Sequence, residues 1–247
     1  MKCQNIFLTF GGPSQHYRNR VLELSHQARN LDFFHEIRGI TDKDLIDGHH
    51  EFYQKHGNFL NDNSRGYGFW LWKPYIVLST LYDMNDGDFL FYLDAGCSIN
   101  NGGKERLQEY MNMIKEQSEF DILSFQMDHL QEVKYTKREL LNHLNTDIKD
   151  MNSGQCLAGI LIFRKGKHSI KLVEEWYRLA SIPHLINDER TDEYREFVDH
   201  RHDQSIYSLL VKKYGSLKIP DETYFEPEWE KYGRKYPFWA TRIKLNG

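Results

Sequence analysis

Short apolar runs alternate along this chain with longer stretches in which apolar residues recur at every third or fourth position. The run NIFLTF, at 5–10, predicts a strand, and the uninterrupted run FLFYL, at 89–93, predicts a strand that is buried on both faces. Between them, apolar residues at helical spacing predict a helix over 71–83. Strands that alternate with helices favour an α/β sheet with parallel strands.

The rest of the chain also alternates between strand-like and helix-like segments, and it contains no internal repeat or linker. With 247 residues, of which 40% are hydrophobic, the chain can bury one sizeable core. We therefore expect a single domain over 1–247. Further strands are predicted near 33–38 and over 121–127 and 154–163, and further helices over 16–29, 42–56, 102–116, 138–144, 167–180 and 203–213.

Asp94 ends the apolar run of the central strand, and the small residues Ala95 and Gly96 follow it directly. A carboxylate is costly to bury without a partner, so we expect a metal ion, a cation or backbone donors against Asp94. Ligands of open α/β sheets collect at the carboxyl ends of strands, which is where this residue falls. The alternative is a structural Asp that caps a loop or the next helix.

Lys73 lies at the N-terminal end of the helix over 71–83, beside Trp70 and Trp72. A lysine in this position can bind phosphate together with the free N–H groups of the helix. The alternative is a surface lysine in an aromatic hinge.

Two later segments are further candidates. The glycines of 154–159 would let a sugar approach the backbone, although close packing of a strand against a helix explains them equally well. The segment 200–204 places five polar residues, Asp203 among them, at the start of an amphipathic helix. Asp203 is alternatively an N-cap residue.

Charge and composition exclude several classes of protein. The formal charge of −4 gives no general attraction to nucleic acid or to an anionic membrane. No window approaches the roughly 18 uninterrupted apolar residues of a transmembrane segment, and the N-terminal apolar run is too short for a signal peptide. The three cysteines are far apart and form no CxxC pair, which suits a reducing cytoplasm. We expect a cytoplasmic protein with no nucleic-acid partner.

Several familiar catalytic motifs are missing from the sequence. GxGxxG and GxxxxGK[ST] do not occur, which argues against dinucleotide binding and kinase-type chemistry. GxSxG and HExxH do not occur either, so the usual hydrolase motifs are missing.

Several motifs, in order along the chain, resemble those of GT-A glycosyltransferases. YLDAG, at 92–96, resembles the YLDxD element whose carboxylates hold a divalent cation against the diphosphate of a nucleotide sugar. SGQCLAGILIFRK resembles the NAGVxxF strand of galactosyltransferase- and glycogenin-like enzymes, and HRHDQSIYSLL resembles their later DQ-bearing helix. The combination of WKPY, YLDAGC and HRxDQS is similar to viral and bacterial glycosyltransferases of capsule or surface-glycan type. The resemblance extends over about 9–210.

The resemblance implies a GT-A type fold, a mixed and mostly parallel central sheet flanked by helices. It implies a nucleotide-binding part over 1–100 and a part over 101–247 that binds sugar and acceptor and carries an aromatic C-terminal tail. The implied enzyme is a hexosyl- or pentosyltransferase that moves a sugar from a nucleotide-diphosphate sugar to a glycan or other hydroxyl acceptor. UDP is the commonest nucleotide in the similar families.

The resemblance also implies roles for individual residues. Asp94 contacts the metal and the donor diphosphate, Lys73 contacts the phosphates or the sugar, and Asp203 with Gln204 lies near the anomeric carbon or the acceptor. In an inverting reaction Asp203 is the candidate general base, with Asp128 as second choice, whereas in a retaining reaction Asp203 holds the sugar. The residues implied to bind the donor are Thr9, Phe10 and Gly11 at the base and ribose, Gln155 and Ala158 at the sugar, and Lys73, Tyr92, Asp94, Ala95, Gly96 and Gln204.

Two departures from the family pattern concern the metal. Gly96 stands where the second Asp of DxD is expected, and His202 is the last histidine, so the C-terminal His of the glycogenin-like enzymes has no counterpart. We expect a weak Mn²⁺ or Mg²⁺ site on Asp94, completed by diphosphate oxygens and water.

Two other functions stay open at this point. One is a non-catalytic carbohydrate-binding protein with a degenerate GT-A fold, suggested by Gly96 and by the many Trp and Tyr residues. The other is a nucleotidyltransferase on a similar nucleotide-binding sheet.

Overall fold

The computed structural model describes residues 3–116 and 119–243. The strands are β1 Asn5–Gly11, β2 Glu36–Thr41, β3 Phe89–Asp94, β4 Ser98–Ile99, β5 Ile122–Gln131, β6 Gly154–Cys156, β7 Ile160–Arg164, β8 Leu217–Pro220 and β9 Phe238–Trp239. The helices are α1 Gln15–Asn30, α2 Asp42–Gly48, α3 His50–Asp62, α4 Gly66–Phe69, α5 Trp72–Asp83, α6 Lys104–Glu116, α7 Glu132–Tyr135, α8 Arg138–His143, α9 Ile148–Met151, α10 Lys167–Ala180, α11 Pro183–Ile186, α12 Asp203–Tyr214 and α13 Trp229–Tyr232.

Seven of the strands form one central sheet in the order β2-β1-β3-β7-β5-β6, with β8 paired to β5. Strands β1, β2, β3, β5 and β8 run in one direction, and β7 and β6 run against them. The sheet is therefore mixed and mostly parallel, as predicted. Strands β4 and β9 form a separate antiparallel pair, which joins the C-terminal tail to the loop after β3.

The core lies on both faces of this sheet. On one face Leu90 and Tyr92 of β3 pack with α5, α10 and α12, and on the other face Phe91 and Leu93 pack with α6. The five residues of 89–93 are all fully buried, so the prediction of a strand covered on both sides is confirmed. In the described parts of the chain, no helix is long and apolar enough to cross a membrane.

Three predicted elements differ from the observed ones. The single strand predicted over 154–163 is wrong, because the chain bends at 157–159 and so divides into β6 and β7. The bend brings the Gly159 carbonyl to the end of β3, where it accepts the backbone N–H of Asp94 at 2.8 Å. The helix predicted over 42–56 is two helices, α2 and α3, since His49 between them leaves helical geometry (φ −126°, ψ 54°). Strand β2 begins three residues later than predicted.

Candidate active site at the end of the central strand

Asp94 opens to solvent at the end of the otherwise buried strand β3. Its side chain is 33% exposed, and its Oδ1 accepts a hydrogen bond from the Tyr92 hydroxyl at 2.6 Å. Phe10, at the end of β1, is its register partner across the sheet. Lys73 Nζ also lies 3.4 Å from Asp94 Oδ2, so both oxygens contact the protein while a third of the side chain stays open to a ligand.

Lys73 is fully enclosed beneath this carboxylate. Its Nζ lies 3.1 Å from Asp94 Oδ1 and 2.7 Å from Asp203 Oδ2, and it also donates to the Ala158 carbonyl at 3.3 Å. Burial lowers the pKa of Lys73, but the charges of Asp203 and Asp94 more than offset this, so its pKa is raised above the ordinary value. The lysine therefore stays charged. Its side chain is 2% exposed, and its ammonium group contacts both carboxylates from the buried side.

Asp203 is the second carboxylate of this centre. It is the first residue of α12, and His202 occupies the cap position, so the N-cap alternative for Asp203 is wrong. Burial raises the pKa of Asp203 to about 6, with a smaller contribution from Asp94 and an opposing one from Lys73. With both carboxylates ionised, the three side chains carry one net negative charge, which attracts a cation and repels a free diphosphate.

A turn of left-handed backbone conformation directly precedes α5. Five consecutive residues, 66–70, have positive φ, and three of them, Tyr67 (51°), Phe69 (54°) and Trp70 (62°), are not glycine. Each such residue costs about 1–3 kcal/mol, and strain of this kind concentrates at functional sites. The rings of Phe69 and Trp70 pack on His202, 4.9 and 5.6 Å between centroids, which places the turn against the residue before Asp203.

Gln155, predicted at the donor sugar, and Gln204, predicted near the anomeric carbon or the acceptor, lie next to each other. Gln204 Nε2 donates to Gln155 Oε1 at 2.8 Å, and Gln204 Oε1 accepts the Ala158 N–H at 3.3 Å. Gln155 and Ala158 are fully buried, whereas Gln204 is half-buried. Gln204 is therefore the partly exposed residue of this group, and the buried Gln155 holds it through their hydrogen bond.

Sequence reasoning missed the ion pair behind these glutamines. Lys212 Nζ lies 2.7 Å from Glu132 Oε1, and both side chains are buried. Glu132 Oε2 accepts from Gln155 Nε2 at 3.1 Å, and the Ser208 hydroxyl also donates to Glu132. The sequence signal for this pair was the helical spacing of the polar residues 205, 208 and 212, which places them on one face of α12.

The structure places Thr9, Phe10 and Gly11 beside Asp94, at the end of β1. Phe10 stacks on Trp72 at 3.9 Å between ring centroids, and the Thr9 side chain is fully buried, its Oγ1 without a hydrogen-bond partner among the described residues. Their contact with a base and ribose stays a prediction. Asp128 is exposed on β5, where its carboxylate accepts a hydrogen bond from Gln126. Among the described residues it makes no hydrogen bond to Lys73, Asp94 or Asp203.

The loop after Asp94 is held by a buried arginine and by the C-terminal tail. Arg20 donates to the carbonyls of Ala95, at 3.0 Å, and Cys97, at 2.7 Å. The Gly96 carbonyl accepts from the Thr241 hydroxyl at 2.9 Å and from the Ile243 N–H at 3.0 Å. The tail thus packs directly on the position where the family pattern has a second Asp.

Asp94 fits one part of a divalent-cation site. A carboxylate oxygen is the ligand type that Mg²⁺ and Mn²⁺ prefer, and the free side of Asp94 is accessible. Over 3–116 and 119–243, however, no group of three or more His, Cys, Asp or Glu side chains is placed to hold a metal ion. A cation bound at Asp94 would therefore need further ligands from a substrate or from water.

Comparison with solved structures identifies similar folds. A glycosyltransferase involved in the glycosylation of the major capsid of PBCV-1 has a TM-score of 0.52 and 10% identity, over 96% of this chain and 92% of that one. Mouse xyloside xylosyltransferase 1 in its apo form has a TM-score of 0.46 and 12% identity, over 93% and 90% of the two chains. Galactosyltransferase LgtC in complex with donor and acceptor sugar analogs has a TM-score of 0.45 and 10% identity, over 94% and 83%.

No protein-family model matches the sequence, and a search of curated proteins gives no significant match. The similarity to the PBCV-1 capsid glycosyltransferase confirms the predicted GT-A type fold.

Proposed function

We propose that this protein is a glycosyltransferase that moves a hexosyl or pentosyl group from a nucleotide-diphosphate sugar, UDP first among the candidates, to a glycan hydroxyl in surface-glycan or capsule synthesis. The observation that carries the proposal is Asp94, an open carboxylate at the carboxyl end of the central strand, held from below by Lys73. Its place in a fold shared with a glycosyltransferase supports the assignment. The three free cysteines suit a reducing cytoplasm.

Asp94 would hold Mn²⁺ or Mg²⁺ together with oxygens of the donor diphosphate. The cation, when bound, supplies positive charge that stabilises the leaving diphosphate. Lys73 acts on the donor through Asp94, because its ammonium group lies beneath the two carboxylates and is out of contact with solvent. We assign Lys73 the role of a positioning residue, and Gln204 the role of a contact to the sugar.

Asp203 is the candidate base of an inverting reaction, since its pKa of about 6 is near the pH at which a base works best. Its carboxylate is 5% exposed, so the acceptor hydroxyl would have to enter beside Gln204 to reach it. A retaining reaction needs no such base, and Asp203, 2.7 Å from Lys73 and 5% exposed, would then hold this lysine rather than the sugar. The anomeric configuration of the product, read by NMR, decides between these roles.

The test is release of nucleoside diphosphate from a panel of nucleotide sugars, with Mn²⁺, with Mg²⁺ and with EDTA. Asp94→Asn keeps the shape of the side chain and should abolish release while the protein stays folded. Asp86→Asn is the matched control, because Asp86 is an exposed carboxylate on the turn before the same strand. Full turnover by Asp94→Asn would refute the proposal.

A second candidate is a carbohydrate-binding protein that has lost catalysis, favoured by Gly96 in place of a second acidic ligand. It predicts glycan binding with no release of nucleoside diphosphate from any member of the panel.

A further inference from the structure

The C-terminal tail builds a cleft that the site around Asp94 does not use. The cleft has a volume of about 580 Å³, and the residues that line it include Trp229, Trp239, Glu228, Glu230, Ser98 and Thr241. This volume lies within the roughly 300–1,000 Å³ that is typical of small-molecule sites. Two indole rings and two carboxylates are thus brought together on one surface.

The two tryptophans pack against each other, and Trp239 is tied to the small sheet. Their ring centroids are 5.8 Å apart, with the planes tilted by 34°. Trp239 belongs to β9, pairs with Ser98 across the small sheet, and donates its Nε1 proton to the Gly233 carbonyl at 3.0 Å. Both tryptophan side chains are half-buried, so ring surface stays open to the cleft. A rigid aromatic platform binds at low entropic cost.

The polar groups of the cleft complement the aromatic rings. Glu228 and Glu230 are exposed, and Glu228 is paired with Lys231 at 2.7 Å. The hydroxyl oxygens of Ser98 and Thr241, which also line the cleft, lie 3.1 Å apart. A sugar ring has a C–H face that packs on an indole and hydroxyl groups that donate to carboxylates, so this combination of surfaces matches a saccharide.

The cleft is joined to the loop that carries Asp94. Thr241 donates to the Gly96 carbonyl at 2.9 Å, two residues after Asp94 in the chain. Asn100, in the same loop, donates to the Arg234 and Tyr236 carbonyls at 2.7 and 2.9 Å. These bonds fix the cleft relative to the strand end where the donor is proposed to bind.

We infer that this cleft binds a saccharide, and that the saccharide is the acceptor of the transfer. The second half of this inference rests on the proposed function, whereas saccharide binding itself does not. Trp229 and Trp239 are the stacking residues, and the two glutamates orient the sugar through its hydroxyl groups.

Binding is measured first without any nucleotide sugar. Saturation-transfer difference NMR is recorded with methyl glycosides of glucose, galactose, mannose and xylose, and with cellobiose and lactose. We expect saturable binding of at least one of these probes, weakened about tenfold or more in Trp229→Ala and retained in Trp229→Phe. Tyr232→Ala is the matched control, since Tyr232 lies on the same short helix, is exposed and does not line the cleft.

The failure of this inference differs from the failure of the proposed function. If none of the probes binds, or if Trp229→Ala binds them as the wild type does, the cleft is not a saccharide site, whatever Asp94→Asn does to diphosphate release. If the inference holds, Asp94→Asn still binds the probes. Trp229→Ala should then raise the KM for the acceptor at least tenfold and leave the KM for the donor unchanged. Equal acceptor KM values would overturn the acceptor assignment.

Discussion

Replacing Lys73 by Met tests whether this lysine holds the centre together. Lys73→Met keeps the length of the side chain but removes the charge that lies 2.7 Å from Asp203 and 3.1 Å from Asp94. Asp94 can turn to water, whereas Asp203, at 5% exposure, cannot. Removal of one partner of a buried ion pair costs about 3–5 kcal/mol, because the other charge is left without compensation.

This loss is a large part of the total stability, since domains unfold with a free energy of about 5–15 kcal/mol. For a chain of this size, 1 kcal/mol corresponds to about 2–4 °C in Tm, so Lys73→Met should melt roughly 6–20 °C below the wild type at pH 7.5. The deficit should shrink at pH 5. Asp203 already has a pKa raised above that of an unfolded Asp, and without Lys73 it binds a proton more readily, so the variant loses stability as the pH rises.

Asp203→Asn provides the internal check. In the double variant the unpaired charge is gone, so Asp203→Asn should recover part of the loss caused by Lys73→Met, with a coupling energy of about 0.5–3 kcal/mol. Urea unfolding followed by circular dichroism gives the four free energies of the cycle. Lys104→Met, at an exposed lysine, should change stability by no more than about 0.5 kcal/mol. If Lys73→Met were as stable as the wild type at pH 7.5, or if the two changes simply added, the reasoning would be refuted.

Three further predictions concern stability and use the same urea assay. Gly103→Ala places a Cβ 2.2 Å from the Pro237 nitrogen, so it should displace the tail and lower the free energy of unfolding, whereas Gly48→Ala, with open space around it, should not. Equal effects would contradict this. Glu132→Ala leaves Lys212 buried without its partner and should cost about 3–5 kcal/mol; a loss below 1 kcal/mol would argue against the ion pair. Burial lowers the pKa of His56 to about 4, so between pH 6.5 and 4 the unfolded state binds a proton that the folded state does not. The free energy of unfolding should therefore fall as the pH drops through this range, by at most about 1.4 kcal/mol per pH unit. His56→Gln should flatten this dependence of stability on pH.

The sequence pattern was sufficient to predict the central strand and the position of its carboxylate. An unbroken apolar run that ends in Asp94 has few structural solutions, and helical spacing located α5 to within one residue at its N-terminal end. These features depend on neighbours in the chain. The contact between Lys73 and Asp203 depends instead on residues far apart in the chain, because it requires that α12 and α5 approach the same strand end.

The division of 154–163 into two strands shows the same limit. Apart from Gln155 its residues are apolar or small, so periodicity gives no reason to break the strand. The break follows from the pairing in the sheet, because β6 pairs with the later residues of β5, whereas β7 pairs with the first two residues of β5 and with β3 on its other side. Glu132 and Lys212 were missed for a related reason, since only the packing of α12 against β6 brings the two charges together.

Gly96, which stands where the DxD pattern of the resembling glycosyltransferases has its second Asp, is bonded to the C-terminal tail. A Cβ at this position would lie 3.5 Å from the Ile243 carbonyl oxygen, so a small side chain would fit there. A carboxylate would not suit the same place, because its neighbours would be that carbonyl oxygen and the Ile243 N–H, which already donates to the Gly96 carbonyl. The backbone of Gly96 instead accepts two hydrogen bonds from the tail. Position 96 therefore serves to anchor the tail, and the tail in turn places Trp239 and its cleft beside the strand end at which Asp94 remains open.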